Sequence, residues 1–262
     1  MNVSQPDTPD TPLENAAATP SIPSKVGTLY GIGVGTGDPE LITVKGLRIL
    51  QQVSVVAFPA GIANKPGIAQ EIVRQWLQPT QQELPLVFPY VQDEATLTQA
   101  WQTAAAQVWQ YLEQGQDVAF VSEGDVSFYS TFTYLAQTLQ QRYPQAIVHT
   151  IPGICSPLAS AAALGIPLTI RAQRLMVLPA LYNVAELEAA LQQAEVLVLM
   201  KVSSVYSQVW SVLERHQLLQ RSWVVVRATC ADQQIYTDLS QYPTLELPYF
   251  SLLIVQVADS RV

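Results

Sequence analysis

Charge is scarce in this sequence. Only 13% of its 262 residues are Asp, Glu, Lys or Arg, and 21 acids against 13 bases leave a formal net charge of -8. No basic stripe is present, which argues against a nucleic-acid partner, because binding to a phosphate backbone depends on clustered Lys and Arg. An anionic ligand would have to be gathered by a few local cations, against the field of the whole chain. Cysteine and histidine are almost missing: Cys155, Cys230, His149 and His216 are all there are. No pair has metal-ligand spacing, so neither a zinc site nor a disulfide framework is indicated; free thiols in a reducing cytoplasm and no protein-bound metal are expected. Long apolar runs are absent too. The nearest, "ICSPLASAAALGIPLTI", is broken by Pro157, Gly165 and Pro167, short of the roughly 20 residues a bilayer span needs. Residues 1–24 carry Asp7, Asp10 and Glu14 but no base, and read as a mobile Pro/Thr/Ser/Ala tail rather than a targeting segment.

What is present is apolar sequence in a βαβ rhythm, 49% of the residues being hydrophobic. "GTLYGIGVG", "VSVVAFP", "DVAFVSEGD" and "AIVHTIPG" read as strands. "AQEIVRQWL", "ATLTQAWQTAAAQVWQYLEQG" and "FYSTFTYLAQTLQQ" read as the helices between them. That alternation predicts an α/β protein with a parallel, doubly wound N-terminal sheet. Further on, "RLMVLPA", "EVLVLMKV", "SWVVVRATC" and "YFSLLIVQV" supply four strands, with helices at "NVAELEAALQQ" and "VYSQVWSVLERH", predicting a C-terminal domain with a mixed sheet. The expected division is a tail over 1–24, one α/β domain over 25–153 and a second over 154–262.

The stretch "GIGVGTGDPE" places glycine at 31, 33, 35 and 37. A dinucleotide fingerprint would need glycine at 36, where Thr36 stands, or at 38, where Asp38 stands, and an acid after the second strand, where Phe58 and Pro59 stand. No phosphate-loop lysine follows. Asp38 before Pro39 reads as a helix start, with Leu41, Ile42, Val44, Leu47 and Ile49 forming the buried face. The alternating glycines predict a ligand close to the backbone. Both glycine loops, "GTGDP" and "SEGDV", are acidic and lack a cation. Such loops suit hydroxyls, an ammonium group and a positive centre, all of which S-adenosylmethionine offers.

Five stretches taken in order, "GIGVGTGDPELITVKGLRILQQVSVVAFP", "DVAFVSEGDVSFYSTFTYL", "IPGICSPLASAAALGIPLT", "VLVLMKV" and "YFSLLIV", resemble the tetrapyrrole methylases from about residue 27 to the C-terminus. "GDVSFYSTFTYL", "VLMKV" and "LPYFSLLIV" resemble most the branch that methylates C20 of precorrin-2 or cobalt-factor II. The resemblance implies two α/β domains with S-adenosylmethionine in the cleft between them, a homodimer, a tetrapyrrole substrate and a cytoplasmic setting in cobalamin synthesis. It implies cofactor contacts at Thr36, Glu123, Gly124, Asp125, Val126, Phe128, Cys155, Ser156, Met200, Ala228 and Ser251. Thr36 and Val126 stand where the family commonly has proline. Asp38 and Tyr129 are candidates for lying near the reacting face. The residues alone also allow plainer roles: Met200 as core, Phe128, Tyr129 and Phe132 as a packed helix face, and Cys155 as a small packing residue. Methyl transfer to an electron-rich meso carbon needs mainly alignment, worth roughly 7–11 kcal/mol of barrier, which fits the lack of a visible catalytic triad. The cations available for substrate carboxylates are Arg48, Arg171, Arg174, Lys201 and Arg227. Methylation of another ring position or of an RNA nucleotide on the same fold, and non-catalytic binding of S-adenosylmethionine or a nucleotide, are the alternatives.

Overall fold

The computed structural model describes residues 25–61, 66–89, 91, 93–181 and 183–257; the expected tail over 1–24 lies outside them. Five strands form the first sheet: β1 (Thr28–Gly33), β2 (Val55–Pro59), β3 (Gln82–Leu86), β4 (Val118–Ser122) and β5 (Ile147–Ile151). Their order is β3-β2-β4-β1-β5 and every pairing is parallel. Side chains alternate along each strand, and here both faces are apolar. Val118 and Phe120 of β4 pack with α3 (Glu94–Leu112) and α4 (Thr131–Arg142). Ala119 and Val121 face the other way, towards α1 (Val44–Gln52) and α2 (Ile68–Val73). A parallel sheet covered on both faces accounts for strands that read as unbroken apolar runs.

The helix after β1 and the helix after β4 lie on opposite faces of two adjacent strands. The carboxyl ends of β1 and β4 therefore form a topological switch point, where open α/β sheets leave a crevice. Both glycine-acid loops open there.

The second sheet is mixed. It comprises β6 (Leu175–Leu178), β7 (Val196–Met200), β8 (Ser222–Val226), β9 (Gln234–Tyr236) and β10 (Ser251–Gln256), in the order β6-β7-β10-β8-β9. Only β6 and β7 pair in parallel. Leu197, Leu199, Val224, Leu253 and Val255 pack against α6 (Val184–Leu191) and α7 (Tyr206–Arg215). α5 (Ser156–Leu164) covers the opposite face, with Ala161 against Val196 and Ile254 and Ala159 against Val225. Its N-terminus is thereby brought to the mouth of the first sheet.

Several local expectations are corrected. β3 carries polar residues and Pro85 at a sheet edge, and β9 has three residues, so neither shows a strand pattern in the sequence. Asp38 caps only a three-residue 3-10 turn over Pro39–Leu41; α1 starts later, with the Thr43 side chain accepting from the Gly46 amide at 3.1 Å. The change of frame turns Val44 out to solvent, 86% exposed, while Leu50 is fully buried. α4 starts at Thr131, so Phe132 is a buried helix residue whereas Phe128 and Tyr129 belong to the loop before it. Leu50→Ala is expected to cost about 2–5 kcal/mol, and Val44→Ala to stay within about 0.5 kcal/mol of wild type. Urea unfolding of the two variants checks this reversal.

Candidate active site

Two loops are joined at the switch point by reciprocal backbone hydrogen bonds. The Gly35 amide donates to the Gly124 carbonyl at 3.2 Å, and the Gly124 amide to the Gly35 carbonyl at 2.6 Å. A cavity of about 500 Å³ opens beside this pair, between the carboxyl ends of the first sheet and the facing edge of the second. Thr36, the loop from Glu123 to Tyr129, the N-terminal turn of α5, Met200 and Lys201 after β7, Arg227 to Cys230 after β8, and the start of β10 all contribute to its wall.

Most residues singled out in the sequence meet here. Thr36, Glu123, Gly124, Asp125, Phe128, Tyr129, Cys155, Ser156, Met200, Ala228 and Ser251 line the cavity. Val126 does not; its side chain is 2% exposed and packs in the core with Phe120 and Phe132. Asp38 is not on the wall either. Its carboxylate accepts from the Glu40 amide at 2.8 Å, and its own amide donates to Thr229 Oγ1 at 3.2 Å.

Much of the polar chemistry in the loops holds the protein together. Thr36 Oγ1 lies 2.9 Å from Thr229 Oγ1, joining the first-sheet loop to the turn after β8. Asp125 accepts from the Ser127 amide and hydroxyl at 2.8 and 2.5 Å, and from the Gly153 amide at 2.7 Å. Burial works against its charge, but these hydrogen bonds outweigh it and hold the carboxyl below its usual range. The glycines also serve packing, which corrects the expectation that they clear room for a ligand. A Cβ on Gly31 would lie 2.3 Å from the Phe132 ring, one on Gly33 2.6 Å from the Gly153 nitrogen, and one on Gly37 2.4 Å from Cys230 Sγ.

Glu123 is different. No hydrogen bond from the described residues reaches its carboxyl. More than a third of the residue is accessible, and it lines the cavity among the ends of both sheets. This enclosure strips solvent from the charge and pushes the pKa up to about 7, against the lowering influence of the Lys201 ammonium. Ser160 of α5 is fully buried in the wall, and its hydroxyl has no hydrogen-bond partner among the described residues. Buried hydroxyls are normally paired, so this one has an unmet capacity to bond a polar ligand atom.

The rim carries aromatics and cations. Phe128 and Tyr129 meet edge to face, as do Tyr249 and Phe250. Lys201 Nζ sits 5.5 Å above the Tyr249 ring. Tyr129, Lys201 and Arg227 all have positive φ, between 49° and 54°, a conformation costing about 1–2 kcal/mol for a residue with a Cβ. Of the five cations considered from the sequence, Lys201 and Arg227 line the cavity. Arg174 is instead clamped by Glu195 at 2.7 and 3.1 Å, and Arg48 and Arg171 lie off the wall.

Sequence reasoning missed Ser160, Cys230, Tyr249 and Phe250 as wall residues. The last two had a signal: an aromatic pair directly before an apolar strand. Ser160 and Cys230 had none, because each reaches the cavity only through the packing of α5 and of the β8 turn. Among the described residues, no group of three or more His, Cys, Asp or Glu could hold a metal, and no helix is long and apolar enough to cross a membrane.

Residues 28–242 match the family model for tetrapyrrole (corrin/porphyrin) methylases. The cobalamin biosynthesis protein CobIJ of Mycobacterium tuberculosis is 36% identical over 238 residues, covering 87% of this chain and 46% of that protein. The chain thus spans about half the length of the first curated relatives it matches. The cobalt-precorrin-2 C(20)-methyltransferase of Salmonella typhimurium is 33% identical over 230 residues, covering 87% of this chain and 96% of the relative. Among solved structures, uroporphyrin-III C-methyltransferase from Thermus thermophilus, complexed with S-adenyl homocysteine, shares the fold. Its TM-score is 0.62 at 20% identity, over 87% of this chain and 97% of that one. The family model matched over residues 28–242 and the relative 33% identical over nearly its whole length settle the family: the chain belongs to the tetrapyrrole methylases.

Proposed function

We propose that the chain is an S-adenosylmethionine-dependent C-methyltransferase acting on C20 of precorrin-2 or its cobalt form, as a cytoplasmic homodimer in cobalamin synthesis. The observation that carries the reading is the cavity itself, which gathers onto one wall nearly all the residues the family pattern marks for the methyl donor. Its volume lies within the roughly 300–1,000 Å³ of small-molecule sites. The unengaged Glu123 carboxyl and the orphaned Ser160 hydroxyl fit a ligand that carries a positive centre, hydroxyls and ring nitrogens. The bound donor supplies an activated methyl group. Relatives named for C20 methylation of precorrin-2 or its cobalt form support the choice of position.

In this reading the protein aligns and desolvates. Met200 and Ala228 give the donor an apolar wall, and the Cys155–Ser156 turn presents the N-terminus of α5. The cavity suits the donor, while the flat tetrapyrrole lies across the rim on Tyr129, Tyr249 and Phe250. Lys201 and Arg227 receive its peripheral carboxylates there, which gives two cations to an acidic protein at the place where an anionic substrate arrives. Arg227 is braced for this by Asp232 at 2.7 Å.

Turnover with S-adenosylmethionine and a precorrin-2-type substrate, with the product's methyl position read by NMR, tests the reading. A methyl at C20 supports it. Another position, or binding without turnover, replaces it with the corresponding alternative. Lys201→Glu and Arg227→Glu should each raise the tetrapyrrole KM at least tenfold and leave the S-adenosylmethionine KM within about twofold; equal changes would remove that residue from substrate binding. Ser160→Ala should leave stability unchanged or slightly raised, since it deletes an unpaired polar group. It should weaken S-adenosylhomocysteine by about 0.5–1.5 kcal/mol in calorimetry.

A further inference from the structure

Three carboxylates occupy the two loops at the switch point, and their surroundings separate them. Asp38 is bound to the Glu40 amide, and Asp125 to Ser127 and Gly153. Of the three, Glu123 alone lines the cavity with no hydrogen-bond partner for its carboxyl among the described residues, directly after β4, the central strand of the first sheet. Neither histidine lines the cavity, so no imidazole competes for a proton there. Resting on the methyl-donor reading above, we propose that Glu123 accepts the proton that the methylated meso carbon must lose.

The step balances. A π pair of the meso carbon forms the new carbon–carbon bond while the carbon–sulfur pair remains on sulfur. The ring, now cationic, releases its meso hydrogen as a proton to the Glu123 carboxylate, and the carbon–hydrogen pair returns to the π system. Solvent later takes the proton from Glu123.

Charge bookkeeping makes this carboxyl suitable. Its loss of solvent places its titration near neutrality, so it exchanges a proton readily at physiological pH. A positive sulfur beside it favours the carboxylate, the form able to accept a proton. Once the methyl has moved, sulfur is neutral and the positive charge sits on the ring, at the carbon whose hydrogen is to leave, so the ionised carboxyl meets an acidic C–H. The other charged and titratable groups around it are constant through the step or otherwise committed. Lys201, after β7, lowers the Glu123 pKa throughout. After β8, Arg227 is paired with Asp232, and burial pushes the Cys230 thiol up, keeping it protonated. Asp125, on the same loop, is held as a carboxylate by its hydrogen bonds. Tyr129 and Tyr249 stand at the rim, and Cys155 at the start of α5.

The test compares proton release on binding S-adenosylmethionine and S-adenosylhomocysteine, by calorimetry at pH 7 in buffers of different ionisation enthalpy. The two ligands differ in the charge at sulfur, so their difference isolates its effect on the protein. Wild type should release up to about half a proton more with S-adenosylmethionine, and Glu123→Gln should abolish the difference while still binding both ligands. In turnover, Glu123→Gln should lose about 10²-fold in kcat and the pH dependence near 7, with the KM for S-adenosylmethionine raised roughly five- to tenfold by loss of the same charge coupling; Glu123→Asp should recover part of the rate. A Glu123→Gln protein that keeps the proton difference, or turns over at the wild-type kcat, overturns the proposal and leaves the methyl-donor reading intact. Wild type that binds neither ligand overturns that reading, and this assignment with it.

Discussion

The site depends on two reciprocal backbone hydrogen bonds between glycines. Gly35 and Gly124 exchange amide and carbonyl across the ends of β1 and β4, adjacent strands that send their helices to opposite faces of the first sheet. The pair fixes the spacing of two loops that would otherwise splay with the helices they feed. Asp125 extends the brace to Gly153 beyond β5, and the Thr36–Thr229 contact carries it to the second sheet. The cavity is what remains open once these ties are made. Residues in the strained left-handed conformation, Tyr129, Lys201 and Arg227, stand around it, as expected where side chains must be aimed and the surrounding fold absorbs the cost.

The same economy governs the acids. An acidic chain with few charges places three carboxylates at one crevice, which would repel one another if all were free. Two are spent on backbone amides, where the ionised form is stabilised. The third is left to respond to whatever fills the cavity. Polarity in the wall thus divides into groups that hold the loops, such as Thr36 and Asp125, and groups with capacity left for a ligand, such as Glu123 and Ser160.

The alternation of apolar runs and amphipathic segments made the parallel sheet and the mixed second sheet legible, because strands buried on both faces are locally distinctive. The Glu123–Asp125 turn was legible for the same reason: two acids flank a glycine where an apolar strand stops. Other features depend on contacts no local pattern encodes. Thr36 meets Thr229 from 193 residues away in the chain. Asp38 before Pro39 looks like a helix cap, and the turn it caps ends after three residues because Thr43 supplies a second start. Val126 occupies a motif position but turns into the core. The alternating glycines gave a true signal of close approach, yet what approaches Gly31, Gly33 and Gly37 is the protein itself.

The most direct test is a crystal structure of the protein grown with S-adenosylhomocysteine. The account expects the ligand in the cavity beside the Gly35–Gly124 pair, its sulfur facing Glu123 and a polar atom within hydrogen-bonding distance of Ser160 Oγ. Ligand bound elsewhere, or a cavity empty of it at saturating concentration, would contradict the assignment.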